Sequence, residues 1–241
     1  MKLVRRIVGK ISHIILEMLA KLSSSRGYIL MLHWISDEQM PGEYEPYRIS
    51  VENFKEFVLW LKTKKVIHLL DWERSEDFYS LTIDDVPESF YTNAFPILKD
   101  EGIPFTIFVN LSLLDKAGYI SKDQLLEMSM CELCTIGSHG VYHSEYAVLN
   151  DKQALEELSE SRRLLEKIVE KPVDLFAFPY GSYYACGFSN KHLVSDIYKY
   201  GFSTVSSPIT RPQIFKNYFL PRINVSRKFL NNIICQLNSQ L

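Results

Sequence analysis

The sequence predicts an α/β protein built on a largely parallel β-sheet, either open or closed into a barrel. Two observations lead to this prediction. Short apolar runs alternate along the chain with amphipathic helical patterns, which is the order typical of βαβ units. The 241 residues also contain no low-complexity tract and no internal repeat, and a chain of this length can form one large domain. We therefore expect a single α/β domain over residues 27–241, preceded by a separate segment over residues 1–26.

The predicted elements follow from local patterns. Apolar, β-branched runs predict strands at 28–35, 79–84, 104–110, 135–139, 174–180, 202–206 and 218–225. Apolar residues spaced three and four apart predict helices at 50–62, 88–102, 121–130 and 150–170. Ser50 and Asn150 stand at expected N-caps, and Gln153 completes a capping box with Asn150. Pro96 should kink or shorten the helix that begins at residue 88.

Residues 2–26 predict a basic amphipathic helix. Its apolar residues recur three and four apart, and six lysines and arginines stand against one glutamate. Such a helix can lie on an anionic membrane surface, or it can pack against the body of the protein. His13 and Glu17 interrupt the apolar core that a signal peptide requires. We therefore expect a cytoplasmic protein, with residues 2–26 available for peripheral contact at the inner membrane surface.

Charge and cysteine content narrow the class of protein. The formal net charge of −2 does not indicate a nucleic-acid partner. Four cysteines in a chain of this length do not make a disulfide framework, and their number fits a reducing compartment. No segment reaches the roughly 18 consecutive apolar residues that a membrane span requires.

The first of three polar clusters is the adjacent pair Asp84 and Asp85, at the end of the strand predicted at 79–84. Active sites of parallel α/β folds gather at such strand ends. Pro87 should end the strand and hold Val86 in an extended conformation. One aspartate could simply cap the next helix, but two adjacent carboxylates need a cation or a shared proton.

The second cluster contains His139 and His143, which follow another predicted strand. Two histidines four residues apart can bind one metal ion if the segment is helical or turned, although surface or core histidines show the same spacing. An aspartate with two histidines is a plausible three-ligand set that leaves positions open for catalysis. The third cluster, Pro179-Tyr180-Gly181, ends a predicted strand with a turn, a pattern that simple loops share.

In this order, the three clusters resemble the motifs of the polysaccharide deacetylase family, carbohydrate esterase family 4. The family motif T-F-D-D-G corresponds to T-I-D-D-V at 82–86, H-[ST]-x-x-H to H-G-V-Y-H at 139–143, and P-Y-G to residues 179–181. The resemblance extends over roughly residues 28–225. It implies an irregular (β/α)7-type barrel. It also implies removal of acetyl groups from the N-acetylated sugars of a polysaccharide or glycan precursor.

The resemblance also implies roles for individual residues. Asp85, His139 and His143 would hold a divalent metal, with zinc as the first expectation. Asp84 would act as the general base toward a metal-bound water. The metal and the backbone N–H of Tyr180 would stabilise the oxyanion. Four residues are expected to contact the saccharide: Pro179, Tyr180, Trp34 and Tyr142.

The sequence departs from the family pattern at three positions. The usual late histidine is missing, and His33 resembles the early histidine of the poly-N-acetylglucosamine deacetylase branch, so His33 is expected to be the general acid rather than a core histidine. The third motif lacks an arginine, and Arg222 is expected to orient Asp84 in its place. Val86 replaces a small residue and could narrow the site or signal lost activity.

Two alternatives remain open from the sequence. One is a catalytically inactive carbohydrate-binding or scaffold protein with the same fold, which the departures from the motifs suggest. The other is a structural zinc site formed by Cys131 and Cys134 together with the two histidines. Only four residues separate Cys134 from His139, far fewer than in a zinc finger, which favours buried, inert thiols.

Overall fold

The structure is a computed structural model that describes residues 25–42, 44–187, 190–210, 213 and 215–238. Most of the basic helix predicted over residues 1–26 lies outside these residues, so that prediction is not tested. Within the described part of the chain, no helix combines the length and apolarity needed to cross a membrane.

A curled sheet of seven parallel strands forms the centre of the molecule. The described residues form the strands β1 (Arg26–Leu32), β2 (Trp34–Ile35), β3 (Arg48–Ile49), β4 (Phe78–Asp84), β5 (Phe105–Val109), β6 (Cys134–Ser138), β7 (Leu175–Ala177), β8 (Tyr200–Phe202), β9 (Ile209–Thr210) and β10 (Ile223–Asn224). The order across the sheet is β10-β1-β4-β5-β6-β7-β8. β9 pairs with β1 in the antiparallel direction, and β2 and β3 form a separate pair.

The segment over residues 217–225 connects the two edges of this sheet. At the β8 edge, the N–H of Ser203 donates to the carbonyl of Leu220 over 2.8 Å. At the β1 edge, the N–H of Val225 donates to the carbonyl of Met31 over 3.0 Å, and Ile223 pairs with Leu30. These contacts curl the sheet into an irregular barrel, and they confirm the fold class predicted from the sequence.

The two faces of the sheet contact different hydrophobic clusters, because side chains alternate along a strand. Ile29 and Phe108 belong to a smaller cluster, whereas their chain neighbours Leu30 and Ile107 belong to the larger one. The larger cluster also contains the buried side chains of the long helices, so it lies between the sheet and the helices. The smaller cluster therefore occupies the other, inner face.

The helices cover the outer face of the sheet. They are α1 (Val51–Leu61), α2 (Glu88–Asn93), α3 (Phe95–Asp100), α4 (Lys122–Met130), α5 (Asp151–Val169), α6 (Val194–Ile197) and α7 (Arg227–Asn238). The predicted caps are confirmed, since Ser50 accepts from the N–H of Asn53 and Asn150 forms a capping box with Gln153. The helix predicted at 88–102 is divided into α2 and α3, and Pro96 lies in the first turn of α3.

The run predicted at 174–180 contributes only Leu175–Ala177 to β7, and two further predicted strands are also shorter in the structure. The run at 202–206 contributes only Phe202 to β8, and the run at 218–225 contributes only Ile223 and Asn224 to β10. Pro221 stands within the run at 218–225 and has no N–H to donate, so a regular ladder cannot pass through it. The same stretch still makes isolated hydrogen bonds, including one from the N–H of Arg222 to the carbonyl of Val205.

Candidate active site

The candidate active site lies at the carboxyl ends of the parallel strands. Asp84 is the last residue of β4, His139 directly follows β6, and His33 directly follows β1. The turn with Pro179 and Tyr180 follows β7. Because the carboxyl ends of parallel strands lie at the same end of the barrel, side chains that are far apart in the sequence meet here.

A tight turn points the side chains of Asp84 and Asp85 in different directions. The N–H of Val86 donates to the carbonyl of Asp84 over 2.7 Å, which closes a γ-turn centred on Asp85. The φ angles of Asp85 and Val86 are +59° and +48°. The chain therefore leaves the strand within one residue. Asp84 bonds with Arg222, whereas Asp85 lies beside the two histidines.

The prediction that Val86 is extended is wrong. Its positive φ is rare for a β-branched residue, and the surrounding structure must hold it there. Its side chain is fully buried in the larger hydrophobic cluster, and its carbonyl accepts from the N–H of Ile120 over 3.3 Å. Val86 therefore points into the core and does not narrow the site.

Asp85, His139 and His143 form a set of potential metal ligands. Their nearest donor atoms all lie within 4.8 Å of one another. Oδ1 of Asp85 is 3.9 Å from Nε2 of His139 and 3.7 Å from Nε2 of His143. A tetrahedral zinc ion, with bonds of about 2.0–2.2 Å, separates its ligand atoms by about 3.3 Å. The three residues thus need only small movements to bind one ion.

The surroundings of the two imidazoles leave their lone pairs available. Nδ1 of His139 lies 2.8 Å from the carbonyl oxygen of Ala177, which can only accept, so Nδ1 carries the proton and Nε2 faces Asp85. Burial, followed by the neighbouring His139, lowers the pKa of His143 to about 4. A neutral His143 has a lone pair to donate at pH 7. The donor set therefore fits a divalent cation such as zinc.

Asp84 and Arg222 form a buried ion pair. Arg222 donates from Nη1 to Oδ1 over 2.6 Å and from Nη2 to Oδ2 over 2.7 Å. Nε of Arg222 donates to the carbonyl of Ser203, and its guanidinium lies 5.2 Å from the ring centre of Phe108. Burial raises the pKa of Asp84, but the charge and hydrogen bonds of Arg222 outweigh it and hold that pKa well below its usual value. Asp84 therefore stays ionised.

His33 lies at the junction between β1 and β2, beside the two carboxylates. Its Nδ1 atom is shielded from solvent and has no hydrogen-bond partner among the described residues. Burial lowers the pKa of His33, against the opposing charges of Asp84 and Asp85. A lower pKa makes the protonated ring a stronger acid, while it reduces the fraction that is protonated at pH 7.

The Pro179-Tyr180-Gly181 turn lies beside His143 and contains a backbone N–H that is available to donate. The N–H of Gly181 donates to the carbonyl of Pro179 over 2.7 Å, closing a second γ-turn, and the φ angle of Tyr180 is +59°. The ring of Tyr180 lies 4.7 Å from that of His143. Within the described part of the chain, no acceptor bonds the N–H of Tyr180. This N–H can therefore donate to a bound molecule.

Several aromatic side chains belong to the segments that form the candidate site. Trp34 is half-buried, and its ring lies 5.5 Å from that of Tyr119 and 6.0 Å from that of Tyr44. The side chains of Tyr142 and Tyr180 are 74% and 61% exposed. Such rings offer apolar faces to a sugar.

Sequence reasoning missed two polar residues beside the ligands. Asn110 donates from Nδ2 to Oδ1 of Asp85 over 3.2 Å. Glu157 on α5 accepts hydrogen bonds from the backbone next to His139 and His143. Asn110 is the last residue of a predicted strand, and this position could have indicated that it belongs to the site. Glu157 is one of many acidic residues in its helix and carries no such signal.

The two cysteines are not part of the site. Cys134 is the first residue of β6, and His139 follows the last, so about five residues of extended strand, roughly 16 Å, separate them. Among the residues that the structure describes, only Asp85, His139 and His143 form a group of three that could hold a metal. A zinc site built from both cysteines and both histidines is therefore not supported.

Comparison with known proteins adds independent information. The family model described as polysaccharide deacetylase matches residues 72–203. The YxkH protein of Bacillus subtilis (strain 168) is 27% identical over 165 residues, which are 64% of this chain and 57% of that protein. The chain therefore spans less than two thirds of that relative.

Two further proteins resemble the chain over most of its length. The poly-β-1,6-N-acetyl-D-glucosamine N-deacetylase of Staphylococcus aureus (strain MSSA476) is 24% identical over 218 residues, which are 80% of this chain and 72% of that protein. The crystal structure of the BA0330 protein of Bacillus anthracis has a TM-score of 0.76 at 22% identity, covering 87% of this chain and 68% of that one. At this level of identity, the structural likeness shows the fold alone.

Proposed function

The chain belongs to the polysaccharide deacetylase family, and from that premise we propose that it removes acetyl groups from N-acetylated sugars with the help of a divalent metal. The observation that carries the proposal is the separation of two adjacent carboxylates into different environments. Asp85 lies beside two imidazoles, whereas Asp84 is paired with a buried arginine. One carboxylate can therefore hold a cation while the other handles a proton.

In this proposal, Asp85, His139 and His143 hold the cation, and zinc is our first expectation for it. The chemistry supplied by a divalent cation at this position is Lewis acidity, which polarises an acetyl carbonyl and lowers the pKa of water. The protein supplies two imidazoles and one carboxylate, which leave positions open for substrate and water. Asn110 restrains Asp85 through the hydrogen bond to Oδ1.

Asp84 is proposed as the general base. Arg222 keeps the carboxylate ionised and fixes both oxygens, which positions Asp84 to accept a proton from the attacking water, while the low pKa makes Asp84 a weak base. His33, next to both aspartates, is proposed to give a proton to the departing amine. The N–H of Tyr180 is proposed to donate to the acetyl oxygen as negative charge develops on it.

The substrate class is inferred from the relatives and from the aromatic rings around the site. The Staphylococcus aureus relative is named for poly-β-1,6-N-acetyl-D-glucosamine, so a polymer or glycan precursor containing N-acetylglucosamine is the first candidate. Trp34, Tyr142, Pro179 and Tyr180 are proposed to contact its sugar rings. A cytoplasmic location, with peripheral membrane contact through residues 2–26, also stays a proposal, which cell fractionation can test.

Acetate release tests the proposed function. Metal-free protein is prepared with a chelator, and zinc or cobalt is then restored before incubation with β-1,6-linked and β-1,4-linked N-acetylglucosamine oligomers. The proposal predicts acetate release that depends on metal. If the protein binds one metal ion and also binds the oligomers, but releases no acetate from either series, the inactive carbohydrate-binding alternative is correct.

A further inference from the structure

Glu157 is an acidic side chain on the inward face of a long helix. It lies in the middle of α5, only 7% exposed, among the buried residues Ala154, Leu158 and Ser161. No lysine or arginine among the described residues forms an ion pair with it. An acidic group in such a place is costly unless hydrogen bonds compensate for the lost water.

The partners of Glu157 belong to the histidine loop, which we define as residues 139–143. A single oxygen, Oε1, accepts from the N–H of Val141 over 2.8 Å and from the N–H of Tyr142 over 3.0 Å. Two successive backbone N–H groups that converge on one oxygen form a nest, a geometry that favours an anionic group. These two peptide units lie between the two histidines of the candidate metal site.

Gly140 makes room for this arrangement. Its φ angle is +85°, and a Cβ atom at this position would lie 3.0 Å from Oε1 of Glu157 and 3.8 Å from Pro179. A side chain here would therefore press on the oxygen that binds the loop. The glycine therefore leaves free the space next to the carboxylate of Glu157.

The loop is anchored on its other side by the end of β5. The N–H of Leu111 donates to the carbonyl of Gly140 over 3.1 Å, and the N–H of Ser112 donates to that of Val141 over 2.8 Å. These bonds fix carbonyl groups, whereas Glu157 binds N–H groups on the far side of the same peptides. The φ angle of His143 is +54°, so the loop ends in a conformation that requires outside support.

We propose that Glu157 is a positioning residue, which holds the histidine loop so that His139 and His143 present their Nε2 atoms together with Asp85. This inference rests on the proposed metal site. Without an acceptor at Oε1, the N–H groups of Val141 and Tyr142 lose their partner, and the loop can relax away from the geometry that binds metal. Glu157 lies outside the three sequence motifs.

Metal binding by the metal-free full chain tests the proposal. We compare the wild type with Glu157→Leu, which removes the acceptor, and Glu157→Gln, which keeps an acceptor oxygen. Glu156→Leu makes the same change one residue away on the exposed face of α5 and is the matched control. Zinc affinity is measured by competition with a chromogenic chelator, and the visible spectrum of bound cobalt reports ligand geometry.

The proposal predicts that Glu157→Leu weakens zinc binding by about 10- to 100-fold, the range typical of groups that orient metal ligands, and that it alters the cobalt spectrum. Glu157→Gln and Glu156→Leu should stay near the wild-type affinity. Unchanged affinity and spectrum in Glu157→Leu, with only a lower melting temperature, would show a purely structural role and overturn the proposal. An equal loss in Glu157→Gln would overturn it as well.

Three further outcomes decide between this inference and the proposed function. If Glu157→Leu does not fold, Glu157→Asp replaces it, because a side chain shorter by one methylene cannot reach both N–H groups, and the same loss is expected. If the wild type binds neither zinc nor cobalt, the proposed function and this inference both fail. If the wild type binds metal and the folded leucine or aspartate variant binds equally well, only this inference fails.

Discussion

Arg222 and Asp84, which are 138 residues apart in the sequence, form a bidentate salt bridge inside the barrel. The hydrogen bonds measure 2.6 and 2.7 Å, and the two side chains are 0% and 2% exposed. Arg222 is carried by the segment that connects the two edges of the sheet. The segment that closes the sheet therefore also carries the residue that pairs with the proposed base.

Replacement of Arg222 by methionine is expected to damage both stability and activity. The variant leaves Asp84 buried without its partner, and breaking such a pair costs about 3–5 kcal/mol of unfolding free energy. Urea unfolding and acetate release measure the two effects. In the control, Arg222→Met combined with Asp84→Leu, stability should recover in part while activity stays lost. A single variant as stable as the wild type would contradict the importance of the pair.

The stability of the metal-free protein should depend on pH through Asp84. Its pKa in the folded state is below the unfolded value of about 3.9, so its ionised form contributes stability that is fully present above that pH and is lost as the pH falls. The Asp84→Asn variant lacks this contribution. The difference in unfolding free energy between the wild type and this variant should therefore shrink below about pH 4. A difference that stays constant from pH 6 to pH 3 would contradict the low pKa.

The proposed acid role of His33 is tested by varying the leaving group. An amine needs a proton to depart, whereas the phenolate of 4-nitrophenyl acetate does not. His33→Gln should therefore lose about 10²- to 10⁴-fold in kcat on the N-acetylated sugar and much less on the ester, with metal content unchanged. Asp84→Asn serves as the comparison, because loss of the base should affect both substrates. Equal losses on the two substrates in His33→Gln would exclude the acid role.

Trp34 is expected to contribute to substrate binding. Its ring is half-buried between Tyr44 and Tyr119, beside the candidate site. Trp34→Ala should raise KM for an oligosaccharide about tenfold, equivalent to about 1.4 kcal/mol, and leave kcat nearly unchanged. Trp34→Phe keeps an aromatic face and should show a smaller effect. An unchanged KM in the alanine variant would indicate that Trp34 has only a packing role.

Local sequence patterns predicted the local structure well. Ser50 and Asn150 cap their helices as predicted, because a cap depends only on residues three positions away. Pro96 interrupts its helix for a similarly local reason. The order of strands and helices predicted the fold class. In that fold, the polar residues that follow the strands lie together at the carboxyl ends of the strands.

Features that depend on distant contacts were not predicted. The left-handed backbone of Val86 is stabilised by its burial and by Ile120, which is 34 residues away, whereas the rule for residues before proline predicted an extended conformation. Glu157 carries no sequence signal, because its partners come from a different part of the chain. Even so, Asp84, Asp85, His139 and His143 were each named from the sequence, and the structure brings them together. Their individual roles stay predictions.

The division of labour between Asp84 and Asp85 is the central claim, and one pair of variants tests it most directly. Acetate release and bound metal are measured side by side in Asp84→Asn and Asp85→Ala, each purified metal-free and then supplied with zinc. We predict that Asp84→Asn binds one equivalent of zinc and releases no acetate, whereas Asp85→Ala binds zinc much more weakly and recovers some release in excess metal. If the two variants behave alike in both measurements, the assignment of separate roles to the two aspartates is wrong.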